Sequence, residues 1–548
     1  MKEHYLAYIQ NSIKTCWDSP ALTNYKRDSY TYGQMAQYVA KFHIYFEKLP
    51  LSKGDKIALC GANSAQWGMA YIAASSFEAV AVPLLNDFLP ESVMTLTDHS
   101  EAKVLFVNKE IWNKIDVAHM PHLQAVISLD DYSLLFARDK ANEALYLQLD
   151  NLFEAKYPGG FKPEHVNYPT NNFDNLALIN YTSGTTSAPK GVMLTYRSIS
   201  SNIQFGLWGI PNGPGDKLVS MLPMAHMYGL AFEFLYQLAG GTQIFFLGKV
   251  PSPKVLLDAL SIVQPYLVIT VPLVIEKIFK SSVFPTIKKP AIKFVLKTPV
   301  MARIIHNQIR KKLLNAFGGK MRMLVIGGAA INQEVEDLMK TIRMPYTVGY
   351  GMTECGPLLS FEDTDKFVKA SCGKPVHRMS LRVDSEDPAQ IVGELQARGD
   401  NVMLGYYKNP EATAAAFTED GWLRTGDLGL IDANNNIYIK GRSKNLIIGA
   451  NGQNIYPEEI EDKLNNQPFV VESIVVERDK KLVALVFPDY DRVSQESLDS
   501  MGLAKLMEEN RMRLNMLLPV FSRISKIEVR QEAFEKTPKR SIKRFLYK

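Results

Sequence analysis

From about residue 54 to 250, short apolar runs (KIALCG, AVAVPLL, KVLFVN, AVISL, LALINYTSG, QIFFLG) alternate with stretches whose apolar residues recur at helical spacing. Strand-length runs separated by helices predict βα units, and therefore mostly parallel sheets. The pattern returns at YLVITVP and MLVIGGA, then yields near residue 370 to glycine-punctuated strands such as GELQARG and NIYIKGR. After residue 445 the texture changes again. YPEEIEDKL places Pro457 at a helix start, Glu458 and Glu459 in its first turn, and Ile460 and Leu464 one turn apart. ESIVVERDKKLVALVF reads as two strands around a charged turn, followed by a helix over about 494–517 and a last strand, KIEVRQEAF. The expectation is an α/β body followed by a small α+β unit, with the seam near GRSKN at 441–445.

Composition narrows the class. A chain of 548 residues with 46% hydrophobic and 22% charged residues has a globular core and more than one domain. The net charge of +5 suits a protein that handles anionic small molecules and is too weak to indicate nucleic acid. Cys16, Cys60, Cys355 and Cys372 form no CxxC pair, so neither a disulfide framework nor a zinc site is expected, and a reducing compartment, the cytoplasm, is. MKEHYLAYIQ has charges where a signal peptide needs an apolar core. The longest apolar run, PYLVITVPLVI at 265–275, is too short to span a bilayer and contains Pro272. No transmembrane segment is expected, and contact with a membrane surface is left open.

The first motif with chemistry is YTSGTTSAPKGV, residues 181–192, directly after the strand LALIN. A loop rich in Gly, Ser and Thr exposes backbone N–H groups and hydroxyls that suit a polyphosphate. Here these are Thr182, Ser183, Gly184, Thr185 and Thr186, with Lys190 as a point charge. It is not a Walker A loop, because Pro189 precedes the lysine and Gly191 follows it. The string resembles the phosphate loop of the adenylate-forming enzymes, the superfamily of acyl-CoA synthetases, firefly luciferase and peptide-synthetase adenylation domains. One position departs from that pattern: Ser187 stands for the usual second glycine.

The resemblance recurs downstream in order. SMLPMAHMYG (220–229) makes His226 a candidate for the wall of the acyl site. VIGGAA (325–330) and YGMTECG (350–356) resemble the adenine and phosphate segment, with Gly328, Ala329, Tyr350, Gly351, Met352 and Thr353. By that likeness Tyr350 stacks on adenine, Thr353 bonds the phosphates and Glu354 holds Mg²⁺. GWLRTGDLG supplies Asp427 for the ribose hydroxyls, and YIKGRSKN supplies Arg442 and the hinge residue Lys444. NGQNIYPEEIE resembles the loop beside the pantetheine tunnel, with Gly452 leaving room for backbone approach. GYYKNPEAT adds support. The fold so implied is a large body, residues 1–443, of mixed parallel-rich sheets with helices and a small β-barrel-like part, then a small mobile α+β domain, residues 444–548.

The implied chemistry is ATP-dependent activation of a carboxylic acid to an acyl-adenylate, then thioester formation with CoA. The cofactor set is ATP, Mg²⁺ and CoA. The ending IKRFLY, together with QPYLVITVPLVIEKIF, resembles the long-chain fatty acyl-CoA synthetases most. Gly327, Gly328 and Ala329 are small enough to leave an alkyl channel. An aryl or other acid, or a carrier-protein acceptor, stays open. One departure stands out. EKTPKRSIKRFLYK, at 535–548, aligns with the family's catalytic-lysine segment but places Ser541 at the lysine position. Lys543, and behind it Lys539, are the substitutes two residues away. An adenylation-impaired, ligand-binding relative is the further alternative.

Overall fold

The computed structural model describes residues 3–182, 189–248, 252–287, 289–449, 453–536 and 542–547. Five of the apolar runs read from sequence, KIALCG, AVAVPLL, KVLFVN, AVISL and LALIN, become the central strands of an eight-stranded sheet. Its order is Gly405–Tyr406, Lys190–Thr195, Leu176–Thr182, Val80–Leu84, Lys56–Cys60, Ala102–Val107, Ala125–Ser128, Leu134–Ala137. The five strands in the middle run parallel, and antiparallel strands close both ends. Parallel strands buried on both faces need helical cover. The helix Ala65–Ser76 is buried along its whole length and packs on both this sheet and the strand Pro20–Asn24. That strand belongs to a second sheet with Ser29–Thr31, Lys217–Ser220 and Gln243–Phe246. A third, all-parallel sheet joins Leu267–Thr270, Met323–Ile326 and Tyr346–Val348.

Two expectations need correction. The barrel-like part is an open antiparallel sheet of Met379–Asp384, Gly393–Gly399, Leu423–Ile431 and Ile437–Arg442, whose outer strands do not pair. Successive strands pair in the order given, and Met379–Asp384 and Ile437–Arg442 share no ladder, so the sheet does not close. The helix expected over about 494–517 is two, Tyr490–Gln495 and Ser500–Met516. Ser497 adopts a left-handed φ of 51°, which ends the first, and Asp499 caps the second by accepting from Gly502 N at 2.7 Å.

The C-terminal unit has its own apolar core, built from Ile460 and Leu464 of the helix Pro457–Leu464 and from strands Val470–Arg478 and Lys481–Pro488. Arg544 clamps the end of the chain to that helix. Its guanidinium makes two 2.7 Å bonds to the two oxygens of Glu461, in the bidentate geometry that carboxylates favour.

Candidate functional site

The strand pair Leu176–Thr182 and Lys190–Thr195 sets Thr182 opposite Lys190 in register, so the two residues flank the mouth of the loop between them. Ser183, Gly184, Thr185 and Thr186 lie outside the described residues, as do Gly452, Lys539 and Ser541. The Lys190 ammonium sits 4.8 Å from the ring centre of Tyr406, a cation–π distance. The Tyr406 hydroxyl donates to Glu354 Oε1 at 3.0 Å. Burial, with Glu354 beside it, pushes the Tyr406 phenol far up, so it remains a donor across the physiological range. One phenol thus stands between the cation and the carboxylate.

Glu354 lies on a tight turn with Thr353, which is buried. Asn202, buried on the helix Tyr196–Gly209, accepts from Leu358 N at 2.9 Å and donates to the Cys355 carbonyl at 3.3 Å. The Glu354 carbonyl accepts from Met403 N at 2.9 Å. These contacts hold both sides of the turn.

A second corner forms around Asp427. It lies directly across from Arg442 in the pairing of Leu423–Ile431 with Ile437–Arg442. Arg442 Nε reaches Asp427 Oδ1 at 2.8 Å, and the Tyr350 hydroxyl donates to Oδ2 at 2.6 Å. Both carboxylate oxygens are therefore engaged in a buried position. Burial holds the Asp427 carboxyl above its ordinary value, and Arg442 and Tyr350 offset only part of that rise. Beyond Arg442, Lys444 is exposed, flanked by Ser443, which donates to the Gly426 carbonyl at 3.2 Å, and Asn445, which donates to Glu458 at 2.6 Å.

Behind these corners is an apolar cavity of about 70 Å³. Its wall includes His226, Tyr228, Phe232, Ile269, Gly327 and the segment 349–353. Asn180 donates to the Ala225 carbonyl at 2.9 Å and so fixes the residue before His226. The room left by Gly327 is not an open channel, contrary to the expectation. A Cβ there would lie 3.0 Å from Tyr228 Cζ, because the Tyr228 ring fills that space. Gly328 has φ +90° and belongs to the wall, whereas Ala329 is exposed and does not.

Lys543 pairs with Glu535 at 3.4 Å within the small unit, and its N–H donates to the Glu535 carbonyl at 2.9 Å. Among the described residues no cluster of three or more His, Cys, Asp or Glu could hold a metal by itself. Glu354 alone does suit Mg²⁺, which commonly takes one or two carboxylates and fills its octahedron with water and substrate phosphates.

Three residues escaped sequence reasoning. Tyr406 lay inside GYYKNPEAT without an assigned role, and Asn202 carried no signal. Glu233 is the lone acid in MYGLAFEFLYQLAGG, which was a usable hint. Its Oε2 accepts from Ser220 Oγ, Met221 N and Leu222 N at 2.9–3.0 Å, bracing the segment that leads to His226. Its Oε1 is buried without a partner among the described residues, and burial pushes the carboxyl up to about 8.

A nucleotide corner, a phosphate corner and an apolar cavity sharing one turn define an adenylate-forming ligase, and the relatives agree. AMP-binding enzymes match residues 9–407 and their C-terminal domain matches residues 444–547; the chain belongs to the AMP-binding enzyme family. It is an AMP-forming acid–thiol ligase of the acyl- or aryl-CoA ligase superfamily. The long-chain-fatty-acid–CoA ligase FadD15 of Mycobacterium bovis is 28% identical over 78% of this chain and 72% of its own length. Long-chain-fatty-acid–CoA ligase 1 of Homo sapiens is 27% identical over 88% of this chain and 73% of its own. The fold matches ATP-bound MatB from Rhodopseudomonas palustris with a TM-score of 0.76, 22% identity and 98% coverage of both chains.

Proposed function

We propose that this protein activates a medium- or long-chain fatty acid with ATP and Mg²⁺, and transfers the acyl group to CoA in a reducing compartment such as the cytoplasm. One observation carries the reading. The segment 349–353 lines the apolar cavity, bears Tyr350 on the Asp427 corner and leads directly into Glu354. An acid whose tail lies in the cavity presents its carboxylate where the phosphates would be held.

In the first step a carboxylate oxygen attacks the α-phosphorus of ATP. The bond to the bridging oxygen breaks, and pyrophosphate leaves with that electron pair. Two anions approach each other, so the Lys190 charge and the N–H groups near it offset the repulsion. Asp427 and Arg442 hold the ribose side. Glu354, oriented by Tyr406, is the carboxylate for Mg²⁺, which when bound neutralises phosphate charge. In the second step the CoA thiol adds to the acyl carbonyl, AMP leaves, and the thiol proton passes to solvent. A turn of the small domain about Lys444 would exchange the two reaction faces, as in the family.

An acid series of increasing length, with CoA-dependent AMP release as readout, tests this. Rates that rise with length into the medium- and long-chain acids are expected, since each further buried methylene adds about 0.8 kcal/mol, and a preference for aryl or amino acids refutes the reading.

A second reading, slow adenylation, is favoured by Ser541. Losing a charge-assisted contact to a transition state costs about 3–4 kcal/mol, or two to three decades of rate. Ser541→Lys should then raise acid-dependent pyrophosphate exchange by about a hundredfold. An unchanged rate points to Lys543 or Lys539 as the working cation.

A further inference from the structure

Between Glu276 and Glu334 the chain carries nine lysines, three arginines and no acid. In the middle of this stretch are two helices with little cover. Pro290–Val295 has no buried residue, and Pro299–Ala316 buries only Leu313. Their outward positions are apolar as well as basic. Phe294 is 75% exposed and Val300 69%, with Met301 and Ile304 also exposed. Val300 and Ile304 are four apart, on one face of the helix. Single exposed apolar side chains are ordinary, but four within eleven residues, set among cations, are not. Among the described residues, no ion pair uses a cation of these two helices.

We propose that the helix pair Pro290–Val295 and Pro299–Ala316 docks on an anionic phospholipid bilayer. Apolar side chains enter the boundary between headgroups and acyl chains, and Lys293, Lys297 and Arg303 lie among the headgroup phosphates. Charge complementarity selects this occupant: residues 290–316, the two helices and their link, carry six cations and no acid, which fits an anionic sheet. The exposed apolar groups select a bilayer over nucleic acid, whose backbone offers them no dehydrated partner. No helix among the described residues is long and apolar enough to cross a membrane, so the pair lies on the surface. The pair also follows the cavity wall in the chain: Leu267 and Ile269 of that wall lead through Val271 into the helix Pro272–Ile278, which precedes the pair. If the proposed function is right, bilayer docking brings the enzyme to the phase in which its acid dissolves.

The test is co-sedimentation of the full chain with vesicles, which needs no catalysis and so fails independently of the activity. Vesicles of phosphatidylcholine alone are compared with vesicles containing about one third phosphatidylglycerol. Binding to the anionic vesicles should be at least about tenfold stronger and should fall severalfold when salt compresses the Debye length from about 10 to about 3 Å. F294S/V300S/I304S and K293Q/K297Q/R303Q should each weaken binding about tenfold, with melting temperatures near the parent's. Equal binding to both vesicle types overturns the proposal, as do variants that bind like the parent. A parent that ignores vesicles but retards duplex DNA in a gel overturns it in favour of a nucleic-acid surface.

Discussion

The hydroxyl of Tyr406 donates to Glu354 Oε1 at 3.0 Å while the ammonium of Lys190 rests 4.8 Å from the same ring. A carboxylate that would meet a cation is thereby kept oriented without being neutralised by the nearby lysine. A direct Lys190–Glu354 ion pair would have occupied both groups; the intervening phenol leaves each able to turn to phosphate. Tyr406→Phe keeps the ring and removes only the hydrogen bond. A loss of about 1.5–3 kcal/mol, or roughly ten- to 150-fold in kcat/KM, is expected for a bond to a charged group. The Mg²⁺ concentration for half-maximal pyrophosphate exchange should rise with it, and an unaltered Mg²⁺ titration would remove Tyr406 from this role.

Asp427 has both oxygens committed, one to Arg442 and one to Tyr350. Asp427→Asn takes away the charge that Arg442 balances and the acceptor suited to two ribose hydroxyls. KM for ATP should rise tenfold or more, from about 1.5–3 kcal/mol of charged hydrogen bonding, while KM for the acid stays within about twofold. Equal rises in both constants would place Asp427 in general folding and not at the nucleotide.

Tyr228 occupies the room that Gly327 leaves, with its hydroxyl 3.5 Å from the carbonyls of Thr270 and Val325. Tyr228→Ala should open that space to substrate. Each additional buried methylene is worth about 0.8 kcal/mol, close to fourfold, so the optimum in an acid-length series should move to longer chains. An optimum that does not move would mean the tail takes another course.

Glu233 links pH to stability. In the folded chain its carboxyl is pushed up to about 8, against an ordinary value of 4.5. Over that interval the folded chain holds the proton and the unfolded chain releases it. The contribution is therefore fully present below about 4.5 and lost as pH climbs towards about 8, by at most about 5 kcal/mol. Melting curves of the parent should decline between pH 5 and 8 more steeply than those of Glu233→Gln. Parallel declines would show that another group sets the slope.

Much of this protein was legible in its residues because the relevant signals are local. Apolar runs of strand length with helical stretches between them determined the parallel sheets, since a strand buried on both faces must be apolar throughout. Pro457 followed by two glutamates determined a helix start, because that residue order suits the first turn's unpaired N–H groups and dipole. The ordered motifs named Lys190, Glu354, Tyr350, Asp427 and Arg442, and the fold collects them into two neighbouring corners. Ser541 was likewise visible without coordinates.

What only the tertiary structure decided are relations between residues far apart in the chain. Tyr406 and Glu354 are separated by 52 positions, and Tyr350 and Asp427 by 77. Nothing local to either member encodes such a bond. Whether Gly327 opens a channel is the same kind of question. A missing Cβ makes room, but the space belongs to whichever side chain packs into it, and here that is Tyr228. The four-stranded sheet stays open for a similar reason: each strand is determined by its own alternation, whereas closure depends on strand number and tilt across the whole sheet. Residue chemistry sets what each group is able to do; packing sets which groups meet.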